Sequence, residues 1–133
     1  MEEKMKKKSL TTIIISIFVT IMITGCDIAT DSAYHTRITM DEAVEMMVAY
    51  DVIILDVRTL SEFDSGHIPY AISLPIDEIE DTVQGIISNK DQIILVYCRT
   101  GNRSDTAAAM LVDMGYRNVY DFGGIVSWVG DIW

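Results

Sequence analysis

Cys98-Arg99-Thr100-Gly101-Asn102-Arg103-Ser104 places a thiol, two guanidinium groups, a glycine and two hydroxyls within seven residues. An apolar, β-branched run, Ile93 to Tyr97, leads into it, and a helical pattern follows from about Ser104. The loop therefore falls where a strand hands over to a helix, the place where ligands bind in open α/β sheets. A helix N-terminus carries about half a positive charge and several unpaired N–H groups. Gly101 lets the backbone curl so that successive amides point inward, as in an anion nest. Arg99 and Arg103 add two full positive charges. A cysteine at the centre of such a cup is expected to ionise well below the ~8.5 of a free thiol. The chemistry implied is a nucleophilic thiolate that attacks, or is loaded from, a small anionic substrate. Phosphatases, arsenate reductases and sulfurtransferases all use such cups, and the loop alone leaves the three open. A buried structural cysteine is the plain alternative, and arginines on both sides of a glycine weigh against it.

The surrounding segments alternate between helix and strand. Thr39-Met40-Asp41-Glu42 has the spacing of a capping box, with Ala43, Met46, Met47 and Tyr50 following at helical intervals. The methionines read as core filling. Val52 to Leu55, ending at Asp56, is apolar throughout, as a strand buried on both faces should be. Ala71 to Leu74 predicts a short strand stopped by Pro75. Ile76, Ile79, Val83, Ile86 and Ile87 predict an amphipathic helix with Asp77, Glu78, Glu80 and Asp81 on its wet side. In the helix from about Ser104, residues Ala107, Ala108, Met110, Leu111 and Met114 form the buried face, and Gly115 is the stop. Asn118 to Asp121 predicts a strand, Gly123-Gly124 a turn, and Ile125 to Trp133 a short helix with Trp128 inward. This alternation predicts a parallel sheet covered by helices on both faces. Asp56 and Arg58, at a strand end near the loop, read as a structural pair, and His67 as a turn histidine.

Composition divides the chain. It has 133 residues, half of them hydrophobic, a mean hydropathy of +0.26 and yet a net charge of -10. That length is room for one domain. The acidity argues against nucleic acid as partner. Two cysteines build neither a disulfide framework nor a zinc site unaided. The first 26 residues account for the apolar surplus. Lys4, Lys6, Lys7 and Lys8 precede an uncharged stretch from Ser9 to Cys26 that is rich in isoleucine, the pattern of a secretory signal. It ends Ile23-Thr24-Gly25-Cys26, which resembles a bacterial lipobox. That resemblance implies cleavage after Gly25 and a lipid on Cys26, making residues 1–25 a signal peptide. The alternative is an uncleaved membrane helix, near the lower limit of the ~17–25 residues that span a bilayer. Either way the remainder is expected outside the cytoplasm, held at the membrane. Residues 26–36, including His35, read as lipidated cysteine and tether, and residues 37–133 as the domain. From Cys26 onward there are six basic and eighteen acidic residues, a net charge of -12.

Three motifs in order carry a second resemblance. Leu55-Asp56-Val57-Arg58 is followed by Glu62-Phe63, Gly66-His67-Ile68-Pro69 and Ala71-Ile72-Ser73-Leu74-Pro75. Then come Tyr97-Cys98-Arg99-Thr100-Gly101-Asn102-Arg103-Ser104, and Gly123-Gly124 with Trp128. Together they resemble single-domain rhodanese-like proteins of the thiosulfate sulfurtransferase type, over nearly all of residues 37 to 130. The resemblance implies an α/β fold, a doubly wound parallel sheet with helices on both faces. It also implies sulfane sulfur transfer through a persulfide on Cys98. The amides from Arg99 to Arg103 would cradle that persulfide, and Arg103 would steady the donor's sulfonate. Four residues separate Cys98 from Arg103, the shorter loop that rhodaneses resemble. Related dual-specificity phosphatases and arsenate reductases have one more. The implied partners are a small sulfur-donor anion and a cyanide or thiol acceptor, with no metal or organic cofactor and a monomeric state. A non-catalytic docking or persulfide-binding module is the remaining alternative. Tyr70 stands where the family usually carries a small residue, most often Gly.

Overall fold

Residues 35–133 are described in a computed structural model; the signal, lipobox and most of the tether lie outside the described residues. Five strands form one sheet: β1 (Thr36–Arg37), β2 (Val52–Asp56), β3 (Ile72–Ser73), β4 (Ile93–Cys98) and β5 (Asn118–Gly124). Their order is β1-β5-β4-β2-β3, and every pairing is parallel. The apolar runs of β2 and β4 lie at the centre, as strands covered on both faces must.

Helices α1 (Met40–Ala49), α2 (Leu60–Asp64), α3 (Ile79–Ile86) and α4 (Asn102–Asp113) connect the strands. On one face, Ala43 of α1 packs with Ile54, Leu95, Tyr97 and Phe122, and Trp128 closes against them. On the other, Ile79 and Val83 of α3 and Ala107, Ala108 and Leu111 of α4 cover Leu55, Val96 and Cys98. The sheet is thus doubly wound, as the motif resemblance implied. Removing a core side chain such as Leu111 would cost ~2–5 kcal/mol.

Capping sets where the helices start. Thr39 and Glu42 exchange the two bonds of a capping box at the head of α1, as their spacing predicts. Thr59 and Glu62 do the same for α2, a one-turn helix that the apolar pattern is too short to reveal. Gly115 follows α4 with a φ of +91°, the left-handed stop expected of it.

The remaining differences from expectation are local. The chain enters the sheet at Thr36, opposite Tyr120, so the last residue assigned to the tether is already strand. The helix predicted from Ile76 opens as a 3₁₀ turn, Ile76–Glu78, and Ile86 faces solvent while Ile87 is buried. Gly123-Gly124 ends β5 instead of forming a turn. The last segment is a single 3₁₀ turn, Ile125–Ser127, because its continuation runs back to the His67 loop. There the Trp133 N–H donates to the His67 carbonyl (2.9 Å) and the His67 N–H to the Trp133 carbonyl (2.8 Å).

Candidate functional site

Cys98 is the last residue of β4, and Gly101 caps α4 directly after it. Its side chain is only 1% exposed. The Gly101 N–H donates to Sγ at 3.0 Å. Gly101 holds a φ of +106°, which turns that amide inward and which an L side chain rarely tolerates. Burial opposes ionisation most strongly. The Ser104 amide and hydroxyl and the Gly101 and Thr100 amides outweigh it and hold the thiol below its usual range. The stabilising donors are therefore mainly backbone, as an anion nest requires.

The loop lies on glycines of β5. A Cβ on Gly124 would stand 2.3 Å from the Arg99 carbonyl oxygen, and one on Gly101 would stand 3.5 Å from Gly123 Cα. Only Gly124 permits this approach. The buried Ser104 hydroxyl lies 3.0 Å from the Gly101 carbonyl and 3.3 Å from that of Gly123, tying the cup to the end of β5.

The two arginines have different surroundings. Arg103 donates through both terminal nitrogens to Glu62, at 2.7 and 2.8 Å. Its guanidinium, expected to steady a donor's sulfonate, is thus already held by a carboxylate of α2. Glu62 is held down to about 2, chiefly by that bond. Arg99 is exposed and forms no ion pair among the described residues. It is the cation left free beside the thiol.

Asp56 and Arg58 form a buried pair. Arg58 donates to both Asp56 oxygens at 2.6 to 3.0 Å, and to the Gly66 carbonyl at 2.7 Å. The Tyr97 ring lies 5.7 Å from the guanidinium, and the Tyr97 hydroxyl accepts from the Ile68 N–H at 3.1 Å. This network holds the Gly66–Ile68 loop against the sheet. His67 is a turn residue, stacked on Phe63 with Nδ1 at 3.0 Å from the Phe63 carbonyl.

Glu62 and Arg37 support the cup from positions distant in the sequence. Glu62 carries a signal, the Thr-x-x-Glu spacing after Arg58. Arg37 carries none: it reaches Asp121 at 2.9 and 3.1 Å and Asp105 at 3.1 Å across the parallel β1–β5 edge. His35, read as tether, lies 3.0 Å from Asp105. His35, Asp105 and Asp121 bring potential metal-ligating atoms within 4.8 Å of one another, and the Arg37 guanidinium bonds both carboxylates there. Asp121 accepts from the Gly123 N–H at 3.0 Å, passing the clamp on to the strand end beneath the cup.

A doubly wound parallel sheet with a buried, amide-cradled cysteine between strand and helix defines a class of cysteine-cup α/β domains. Within that class, the chain belongs to the rhodanese-like domain family, whose profile matches residues 39–131. It is 36% identical over 93 residues to a thiosulfate sulfurtransferase, GlpE, of Pseudomonas putida, covering 69% of this chain and 83% of that protein. It is 40% identical over 79 residues to a sulfurtransferase of Allochromatium vinosum, covering 59% and 72%. Among solved structures, a rhodanese-related protein from Thermoplasma volcanium superimposes with a TM-score of 0.64 at 32% identity, covering 75% of this chain and 98% of that one. A rhodanese-like domain protein from Staphylococcus aureus gives 0.63 at 35% identity, covering 72% and 92%.

Proposed function

We propose that the domain transfers sulfane sulfur from thiosulfate, or a similar anionic donor, to cyanide or a thiol through a persulfide on Cys98. The Cys98 thiolate attacks the donor's outer sulfur, the S–S bond breaks, and sulfite leaves with the bonding pair. The acceptor then attacks the outer sulfur of Cys98–S–S⁻, and the Cys98 thiolate is the leaving group. Sulfur's own change of oxidation state supplies the redox step, so no cofactor enters. The observation that carries this reading is the Gly101 N–H on Sγ within a four-residue cup, which suits one extra sulfur atom better than a tetrahedral oxyanion. Sulfurtransferases among the relatives support it.

The test is thiocyanate formation from thiosulfate and cyanide, with mass spectrometry of Cys98 after thiosulfate alone. A gain of one sulfur atom on Cys98 and loss of turnover in Cys98→Ala are expected. Turnover of an aryl phosphate without thiosulfate activity would replace the reading with a phosphatase. Absence of any Cys98 persulfide would leave a non-catalytic module. The proposal extends to location: Cys26 carries a lipid after cleavage at Gly25, and the monomeric domain works at the extracytoplasmic face of the membrane. Mass spectrometry of the membrane-extracted protein tests the lipid.

A further inference from the structure

A cavity of about 470 Å³ lies on the sheet face opposite Cys98. Cys98 packs with α3 and α4, whereas the cavity's Ile54 and Ile68 belong to the α1 face. It also sits toward the start of the strands, beside Val52, which pairs with Ile93 at the opposite end of β4 from Cys98. Its volume falls in the ~300–1,000 Å³ range of small-ligand pockets.

Its lining has one chemical character. Tyr50, Tyr70 and Trp128 bring three aromatic rings, and Asp51 and Asp131 bring two carboxylates. None of the lining residues is cationic. The two tyrosines are exposed by 60% and 80%, against the usual placement of large rings. Tyr70 also holds a φ of +66°, unique among the described non-glycine residues. A bulky residue in the left-handed region is strained, and such strain concentrates at ligand sites. Its ring is braced edge-on by Trp133, with centroids 4.8 Å apart. Trp128 is pinned through its indole N–H to the Asp131 carbonyl at 3.0 Å.

We infer that this cavity binds a small organic cation, an alkylammonium group on an apolar body. Aromatic faces attract such a cation through their quadrupole, and the carboxylates add net charge complementarity. The apolar floor accepts the ligand's methyl groups. A strained tyrosine in a position that glycine fits better makes sense when the ring itself is used.

Isothermal titration of the full chain with choline, and with its neutral tert-butyl isostere, tests the site. Saturable choline binding, at least about tenfold tighter than the isostere, is expected. Tyr70→Gly relieves the backbone strain, so it should keep or raise the melting temperature while weakening choline about tenfold. Asp51→Asn and Asp131→Asn should each weaken it several-fold. Equal binding of the isostere, unchanged affinity in Tyr70→Gly, or no saturation would overturn the assignment. Binding of a trimethyllysine peptide without choline binding would overturn the small-molecule ligand in favour of a protein partner.

Discussion

Arg103 and Glu62, 41 residues apart in the chain, meet through two parallel hydrogen bonds at 2.7 and 2.8 Å. Glu62 also accepts from the Thr59 N–H at 3.0 Å. One carboxylate therefore starts a helix and fixes the arginine that follows the nucleophile's loop. Because Arg103 holds Glu62 down to about 2 from 4.5, the pair's stabilisation is complete above the unfolded value. It is lost as pH falls from about 4.5 through about 2. Glu62→Gln should lower the urea midpoint at neutral pH, and the gap to wild type should close across that acid window. A gap that stays constant on acidification would contradict the pairing.

Ser104 has one hydroxyl proton and three acceptors around it: the Gly101 carbonyl, the Gly123 carbonyl and the Cys98 sulfur. A thiolate competes for that proton better than a carbonyl. Ser104→Ala removes one of the groups that hold the thiol down. The thiol should therefore ionise at higher pH in the variant. Under the proposed function, sulfur-transfer rates should rise with pH as the thiolate forms, and the midpoint of that rise should move up in the variant. An unmoved midpoint would mean the backbone amides alone set it.

Gly124 tests whether cup geometry controls rate. A Cβ there would meet the Arg99 carbonyl oxygen at 2.3 Å and Thr100 Cα at 2.6 Å, both backbone atoms that cannot swing aside. Gly124→Ala must therefore displace the loop. Misplacement of reacting groups by about 1 Å costs on the order of 100-fold. Turnover of thiosulfate should fall by about that factor while circular dichroism keeps the native spectrum.

The fold was legible where one segment carried its own period. The β4 run, the Thr39 capping box and the Gly115 stop all act locally, and the structure keeps them. The cysteine cup was legible for the same reason, since nucleophile and donors lie in seven consecutive residues. What supports the cup was not. The contacts of Glu62 with Arg103, Arg37 with Asp121 and Gly124 with Arg99 join distant residues through a parallel topology that no local spacing encodes. Tyr70 shows the converse. The departure from glycine is visible in the sequence, but the +66° φ that explains glycine's place there belongs to the turn.

Asp56 is fully buried and bonded to Arg58 along its whole carboxylate edge. Removing the partner strands a charge away from water. Arg58→Met should destabilise the domain by about 3–5 kcal/mol, measured by urea denaturation at neutral pH. Asp56→Leu/Arg58→Met, which removes both charges, should recover most of that loss. A double variant as unstable as the single one would place the cost in lost packing around Gly66 instead.

Charge governs how an anion would reach the cup. From Cys26 onward the net charge is -12. Four of the six basic residues there, Arg37, Arg58, Arg103 and Arg117, are paired with carboxylates. Lys90 lies 3.8 Å from the Tyr116 ring, leaving Arg99 as the free cation at the cup. The proposed anionic donor would therefore be repelled at long range and attracted only close in. Salt screens the distant carboxylates first, because the Debye length falls to about 10 Å at 0.1 M. Thiosulfate kcat/KM should rise with added inert salt. In Arg99→Ala the KM should increase about tenfold, with kcat near wild type, and the salt-induced rise should steepen because less local attraction offsets the repulsion. A fall in kcat/KM on adding salt to the wild type would show that the local field of Arg99 outweighs the whole domain's charge.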